Sequence, residues 1–297
     1  MSITIKKLRK TYPNGHTALN DIDLNIPEGM FGLLGPNGAG KSTLMRILVS
    51  LLEPTSGSVE IYGHDLIKDR KEIRKLLGYL PQDFRFFAKY KTYEFLDYAA
   101  RLSGMNNTRK RKEAVDEMLE KVGLYEARNR YANNLSGGMK RRLGIAQALI
   151  HKPKVIIVDE PTTGLDPEER IRFRNILSEV SGQNATILLS THIVGDISSS
   201  CNSMALLDKG EIAYFGTPED MLKKVENKAW KLKIENSQLN EIEKKYPIIA
   251  TIPYGKGWEV FVVADSISGY DAEPFTPNLE YAYVYFMEHN LNKWTKA

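Results

Sequence analysis

Only one cysteine, Cys201, occurs in the 297 residues of the chain. An internal disulfide is therefore excluded, and the sequence suits a reducing compartment. A lone cysteine of this kind reads as a small buried apolar side chain rather than a reactive thiol. Long apolar runs are also missing. The longest, such as Val155–Val158 and Ile187–Leu189, are strand-sized, whereas a membrane helix needs about 18 or more apolar residues in succession. Met1–Lys10 has no apolar core of signal-peptide length. The expectation is a chain soluble by itself, held at any membrane by something else. Charge of one sign is scarce: a net charge of +4 is too weak to argue for nucleic acid. The sequence has no internal repeats or low-complexity tract. His16, His64, His151 and His289 lack metal-ligand spacing and read as structural or exposed.

What is present is a globular balance, 42% hydrophobic and 26% charged, in a length that fits one large domain with an appendage or two modest domains. Residues 1–30 read as short strands and turns, with a hairpin-type turn at Asn14-Gly15. Phe31–Leu34 reads as an apolar strand before a glycine-rich loop, and a helix is expected from Lys41 to about Leu52. Residues 57–63 suggest another strand. Residues 93–150 read as mainly helical, with Thr108 as an N-cap and Val115, Met118, Leu119 and Val122 forming a helical stripe. Val155–Val158 and Thr186–Ser190 read as buried parallel strands. Asp166-Pro167-Glu168-Glu169 reads as a helix start. This alternation argues for an α/β sheet. Composition changes after Gly216-Thr217-Pro218. A short helix, a strand near Trp230–Ile234, a lysine-rich helix, two strands flanking Tyr254–Gly257 and a final helix follow. Leu279, Ala282, Tyr283 and Phe286 share one face of that last helix. Together they make a small α/β appendage.

The run Gly35-Pro36-Asn37-Gly38-Ala39-Gly40-Lys41-Ser42-Thr43 fits the phosphate-loop pattern between a strand and a helix. Its glycines allow several N–H groups to turn inward around a phosphate, and the helix end adds partial positive charge. Lys41 is placed to reach the β- and γ-phosphates, and the Ser42 hydroxyl to ligate Mg²⁺. Val155–Val158 then delivers Asp159, a carboxylate for Mg²⁺, and Glu160, placed to polarise an attacking water. By themselves these motifs leave a kinase, a GTPase and a helicase open.

Leu135-Ser136-Gly137-Gly138-Met139 lies shortly before the Asp159 strand. Ser136 is an N-cap candidate, Met139–Ile150 reads as a helix, and the two glycines leave its first N–H groups uncovered, making a second anion site. This segment resembles the signature sequence of ATP-binding cassette (ABC) proteins, and the resemblance spans about residues 1–217. It implies a P-loop NTPase, RecA-like core with an antiparallel β subdomain and a helical subdomain at about 89–150. Residues 218–297 are then a small C-terminal α/β accessory domain. The resemblance assigns Gln82 to a loop that senses Mg²⁺ and the attacking water, and Asp166, in Gly164-Leu165-Asp166, to a loop crossing a dimer interface. His192 resembles a switch histidine contacting the γ-phosphate, and Tyr12 the aromatic residue under adenine.

The activity implied is ATP hydrolysis with Mg²⁺ in a head-to-tail dimer of two such chains. Lys41, Ser42, Gln82, Asp159, Glu160 and His192 of one chain would face Ser136, Gly137 and Gly138 of the other. The partner implied is a separate integral membrane permease, docking near Gln82–Tyr93, where Phe84, Phe86, Phe87, Tyr90 and Tyr93 cluster. A local core under the helical subdomain is the other reading of these aromatics. Met139-Lys140 departs from the glutamine that many members carry and resembles cassettes of exporter-type systems. The implied location is the cytoplasmic face of the inner (plasma) membrane. A non-transport cassette acting on ribosomes or nucleic acid is the alternative. No nucleic acid is expected, because residues after Pro218 lack a basic stripe interleaved with aromatics.

Overall fold

A computed structural model describes residues 2–86, 89–182 and 184–294, with 289–294 as backbone alone. Internal contacts divide the chain into two compact units. One is the chain up to Asp196 together with Ser200–Phe215; the other is Ile197–Ser199 with the chain from Gly216 onward.

The first unit begins with the strands β1 (Ile3–Thr11), β2 (Thr17–Ile26) and β3 (Gly29–Leu34), then helix α1 (Lys41–Leu48). Next come β4 (Ser56–Ile61), β5 (His64–Asp65), α2 (Arg70–Leu76) and β6 (Leu77–Leu80). Three helices follow, α3 (Thr92–Leu102), α4 (Thr108–Lys121) and α5 (Gly137–Leu149). The remaining elements are β7 (Val155–Asp159), α6 (Pro167–Ser181), β8 (Thr186–Thr191), α7 (Val194–Ser198), whose residues from Ile197 belong to the second unit, β9 (Ser203–Asp208) and β10 (Glu211–Gly216), which ends at the boundary.

These strands form two sheets. One has the order β2-β1-β4-β5, with all three pairings antiparallel. The β1–β2 hairpin closes through Asn14-Gly15 as expected: the Tyr12 N–H donates to His16 O and the Gly15 N–H to Tyr12 O. The other sheet has the order β10-β9-β3-β8-β7-β6. Its β9-β3-β8-β7-β6 stretch is parallel, and β7 and β8 are buried along their whole length. Strands covered on both faces carry continuous apolar runs, which explains Val155–Val158 and Ile187–Leu189. Ile3, Ile5 and Leu24 of the antiparallel sheet join Phe31, Val155 and Leu188 of the parallel sheet in one core around Leu44 and Met45 of α1. Each such side chain contributes about 1.5–3 kcal/mol when fully buried.

Some local expectations need correction. Helix α1 stops at Leu48 rather than near Leu52, because Ser50 adopts φ +57° and the N–H groups of Leu51 and Leu52 turn back to Arg46 O. The α4 cap is Asn107, not Thr108: Asn107 Oδ1 accepts from the Lys110 N–H at 3.0 Å and Thr108 is the first helical residue. The stretch 93–150 is mainly helical, as expected, with loops separating α3, α4 and α5. Cys201 is buried, and burial pushes its thiol up to about 12, in keeping with a packing role.

In the second unit, α8 (Pro218–Lys223) and β11 (Ala229–Glu235) precede α9 (Leu239–Lys245), then β12 (Ile248–Tyr254), β13 (Gly257–Val263), β14 (Ala272–Pro274) and α10 (Leu279–Trp294). Its antiparallel sheet has the order β12-β13-β11-β14. Leu232, Ile234, Val260 and Val262 bury one face with Ile242 of α9. On α10, Leu279, Ala282 and Phe286 are buried and Tyr283 is half-buried. Among the described residues no helix is long and apolar enough to cross a membrane.

Candidate active site

Sheet register assembles the site. Leu34 at the end of β3 pairs with Thr191, Asp159 at the end of β7 pairs with Ser190, and Leu80 at the end of β6 pairs with Val158. The chain leaves these parallel strands at one edge, so the segments Gly35–Gly40, Pro81–Gln82, Glu160–Thr163 and His192 emerge together. Ligands of open α/β sheets bind beyond such carboxyl ends.

The phosphate loop turns into α1 at Gly40, whose φ is +109° and where an added Cβ would lie 2.5 Å from Ala18 O. Only glycine fits there. Gly38 also has positive φ and faces open space. A cleft of about 600 Å³ lies over the loop, lined by Tyr12, Asn37, Gly38, Gly40, Lys41, Ser42, Thr43, Gln82, Glu160 and His192. Gly35 and Ala39 are buried and Pro36 half-buried beneath this surface. Tyr12 is fixed by its hydroxyl, 3.2 Å from Thr43 Oγ1.

Lys41 is 4% exposed. Its ammonium donates to Gly35 O at 2.7 Å and Pro36 O at 3.1 Å, and stands 3.3 Å from Glu160 Oε1. A proton on His192 Nδ1 meets Glu160 Oε2 at 3.0 Å, and the Thr163 hydroxyl donates to the same oxygen at 3.3 Å. Glu160 has φ +45°, a conformation that costs a non-glycine residue about 1–3 kcal/mol and persists only where neighbours impose it. Ser190 does so: its O and its Oγ each accept from the Glu160 N–H at 3.1 Å. The same Ser190 hydroxyl donates to Asp159 Oδ1 at 2.5 Å. Asp159 is 2% exposed. Beside it, burial pushes the Tyr79 phenol up to about 12, with the Asp159 charge adding to the effect.

Ser136, Gly137, Gly138 and Asp166 are not among the residues lining this cleft. Ser136 caps α5 by accepting from the Met139 N–H at 3.2 Å, and Ser136 and Gly137 are exposed. An added Cβ on Gly138 would lie 2.6 Å from the Glu169 carboxyl carbon, so a side chain there requires Glu169 to move. Glu169 is held by Arg142 at 3.1 Å. Asp166 caps α6 by accepting from the Glu169 N–H at 2.9 Å.

Several residues at the site carried no sequence signal. Thr163 and His16 line the cleft, and His16 lies parallel to the Tyr12 ring at 6.4 Å. Ser190 was legible only as the end of a strand. Among the expected docking aromatics, Phe84 and Phe86 pack edge-on to buried Phe95, as a local core would. Tyr90 is exposed, Tyr93 half-buried, and Phe87 lies outside the described residues.

The donor set can serve a small hard cation. Among the described residues no group of three or more His, Cys, Asp or Glu side chains is arranged to hold a metal alone. Mg²⁺ needs no such cage, since it takes one or two protein oxygens plus phosphate oxygens and water. Ser42 and Gln82 on the cleft and Asp159 behind it fit that pattern.

The ABC transporter family model matches residues 19–163. The uncharacterized ABC transporter ATP-binding protein YxlF of Bacillus subtilis is 36% identical over 268 residues, 90% of this chain and 88% of its own length. The bacitracin transport ATP-binding protein BcrA of Bacillus licheniformis is 35% identical over 254 residues, 84% of this chain and 81% of its own. A dimeric post-hydrolysis structure of the ATP-binding cassette MJ0796, bound to ADP and Pi, superposes with a TM-score of 0.67 at 27% identity, covering 72% of this chain and 98% of that one. With a phosphate loop, a buried Asp159 and a Glu160 poised over the cleft, this chain belongs to the ABC transporter family, as one of its ATP-binding, ATP-hydrolysing subunits.

Proposed function

We propose that this chain hydrolyses ATP in a head-to-tail homodimer and drives export through a separate membrane-spanning permease. The observation carrying the dimer is a division of parts. Phosphate loop, Gln82, Glu160 and His192 share one cleft, whereas the Ser136 end of α5 is exposed and outside it. A helix N-terminus with uncovered N–H groups is an anion site that needs a phosphate from elsewhere. A second copy, turned about a two-fold axis, supplies it.

In this reading adenine stacks on Tyr12, and the Gly35–Thr43 backbone and Lys41 hold the phosphates. Glu160 orients water for attack on the γ-phosphorus while ADP leaves, and His192 holds the Glu160 carboxylate in place. Ser42, Gln82 and Asp159 would hold Mg²⁺, which when bound offsets phosphate charge. Catalysis is then positioning and electrostatics. Asp166, at the start of α6, serves the dimer interface. Residues 1–217 form the cassette and 218–297 an accessory domain.

The permease docks beside Gln82–Tyr93. Supporting this is a groove of about 790 Å³ in the first unit, lined by Phe84, Phe95, Tyr98 and Leu102 with Arg74 and Arg85. Leu102 is 70% exposed and Tyr98 is 38% exposed. A cationic wall beside aromatics suits an amphipathic helix with acidic residues. Met139-Lys140 supports an exporter, and the relative named for bacitracin transport supports a transport subunit held at the cytoplasmic face of the plasma membrane by its permease.

Tagged Glu160→Gln chain, extracted gently from membranes with ATP present, tests the partner. A stoichiometric polypeptide with several membrane spans is expected. Ribosomal or DNA-bound proteins with nothing from the membrane would contradict the transport reading while leaving the ATPase intact.

A further inference from the structure

We propose that Arg141 is the positioning residue that locks Gln82 and Glu160 to each other and to the helix bearing Ser136. The inference rests on the reading of Glu160 and Gln82 as hydrolytic groups.

A guanidinium has five N–H donors in a rigid planar fork. In Arg141 all five find backbone carbonyls. Nε donates to Pro161 O at 2.8 Å. Nη1 donates to Pro81 O at 3.3 Å and Gln82 O at 2.7 Å. Nη2 donates to Asp159 O at 3.3 Å and Glu160 O at 2.5 Å. The first pair of residues follows β6 and the other three end and follow β7. Arg142 next along the helix is different: it pairs with the Glu169 carboxylate and donates to Val122 O and Gly123 O.

The consequence for Glu160 is specific. Ser190 holds its N–H and Arg141 holds its C=O. Both peptide units flanking a residue at φ +45° are thereby fixed, which sets where its carboxylate points. Gln82 is tied through its carbonyl to the same side chain. Because Arg141 lies about one turn along α5 from Ser136, a shift of that exposed helix end moves the carbonyls around Glu160 and Gln82. Burial lowers the Arg141 pKa from its ordinary value, while Asp159, Asp83 and Glu160 raise it. The phosphate loop takes no part in these bonds, so its own hold on the nucleotide phosphates does not run through Arg141.

Arg141→Gln and Arg141→Lys, compared with the native chain, test this by mant-ATP titration and steady-state ATPase kinetics. Displacing a catalytic group by about 1 Å can cost about 10²-fold in rate. We expect both variants to bind mant-ATP at full stoichiometry within about twofold of the native affinity, with KM little changed and kcat lower by about 10- to 100-fold. Lysine is expected to fail because one ammonium cannot span both strand ends. Native kcat in either variant overturns the proposal. So does a loss of kcat matched by lost mant-ATP stoichiometry, which marks Arg141 as a residue of the fold alone. If Arg141→Gln does not fold, Arg141→Lys decides by the same readings. Glu160→Gln serves as the separate control: native-rate turnover in that chain would refute the Glu160 assignment itself, whatever Arg141 does.

Discussion

His192 Nδ1 lies 3.0 Å from Glu160 Oε2, joining residues that follow two adjacent parallel strands. Lys41 stands on the other carboxylate oxygen at 3.3 Å. A carboxylate held at both oxygens cannot swing away from the cleft. His192→Ala removes one hold and leaves the phosphate loop intact. We expect kcat to fall by about 10²-fold or more with mant-ATP affinity nearly native. Steady-state kinetics beside equilibrium titration measures both.

Ser190 is the residue through which the two acids are linked. Its hydroxyl donates to Asp159 and accepts from the Glu160 N–H, in a fully buried position. Ser190→Ala leaves a buried carboxylate oxygen short of a donor, a loss of about 1–3 kcal/mol. Urea unfolding is expected to show that loss, with kcat reduced and the protein still folded at moderate temperature. An unchanged unfolding midpoint would mean that water replaces the hydroxyl.

The groove near Gln82 gives a prediction that separates docking from hydrolysis. Leu102 is 70% exposed on α3, so Leu102→Asp is expected to change stability by no more than about 0.5 kcal/mol. ATPase activity of the isolated chain is expected to stay near native. Recovery of the membrane partner in co-purification is expected to be lost.

His151 supplies a pH dependence. Its Nε2 is 3.0 Å from Leu77 O, its Nδ1 is buried without a partner among the described residues, and burial lowers its pKa from the ordinary 6.5. The unfolded chain then binds the proton more readily than the folded one. The stability this group contributes is present above the ordinary value and is lost as pH falls through the folded value. Lowering pH from about 7.5 to about 5.5 should therefore destabilise the native chain more than His151→Leu. Urea midpoints of the two proteins at both pH values measure it. Equal losses would show that His151 is not the group responsible.

Much of this was legible because the chemistry is local in sequence. Gly35–Thr43 is a contiguous loop whose strand and helix flanks are written beside it, and Asp166-Pro167 announces α6 two residues ahead of its acids. Ser190 and Arg141 were not legible, because each acts through residues that are near only once the parallel strands align, whereas Thr163 reaches Glu160 from only three positions on but carries no motif of its own. Arg141 is separated from Pro81 by 60 positions, and nothing in a lysine- and arginine-rich run marks which cation turns inward. The end of α1 failed for a different reason. The apolar pattern continues through Leu51 and Leu52, while the left-handed Ser50 ends the helix with no glycine to signal it. At α4, Asn107 and Thr108 are both cap formers, and local sequence does not rank them.

The most direct test of the central claim is the mass of Glu160→Gln in solution with and without ATP, read by sedimentation equilibrium. We expect a monomer without nucleotide and, with ATP, a dimer that retains unhydrolysed nucleotide in both sites, and Lys41→Ala introduced into the same chain should abolish the shift. A chain that binds ATP yet stays monomeric, or one that turns ATP over at the native rate, would contradict the account.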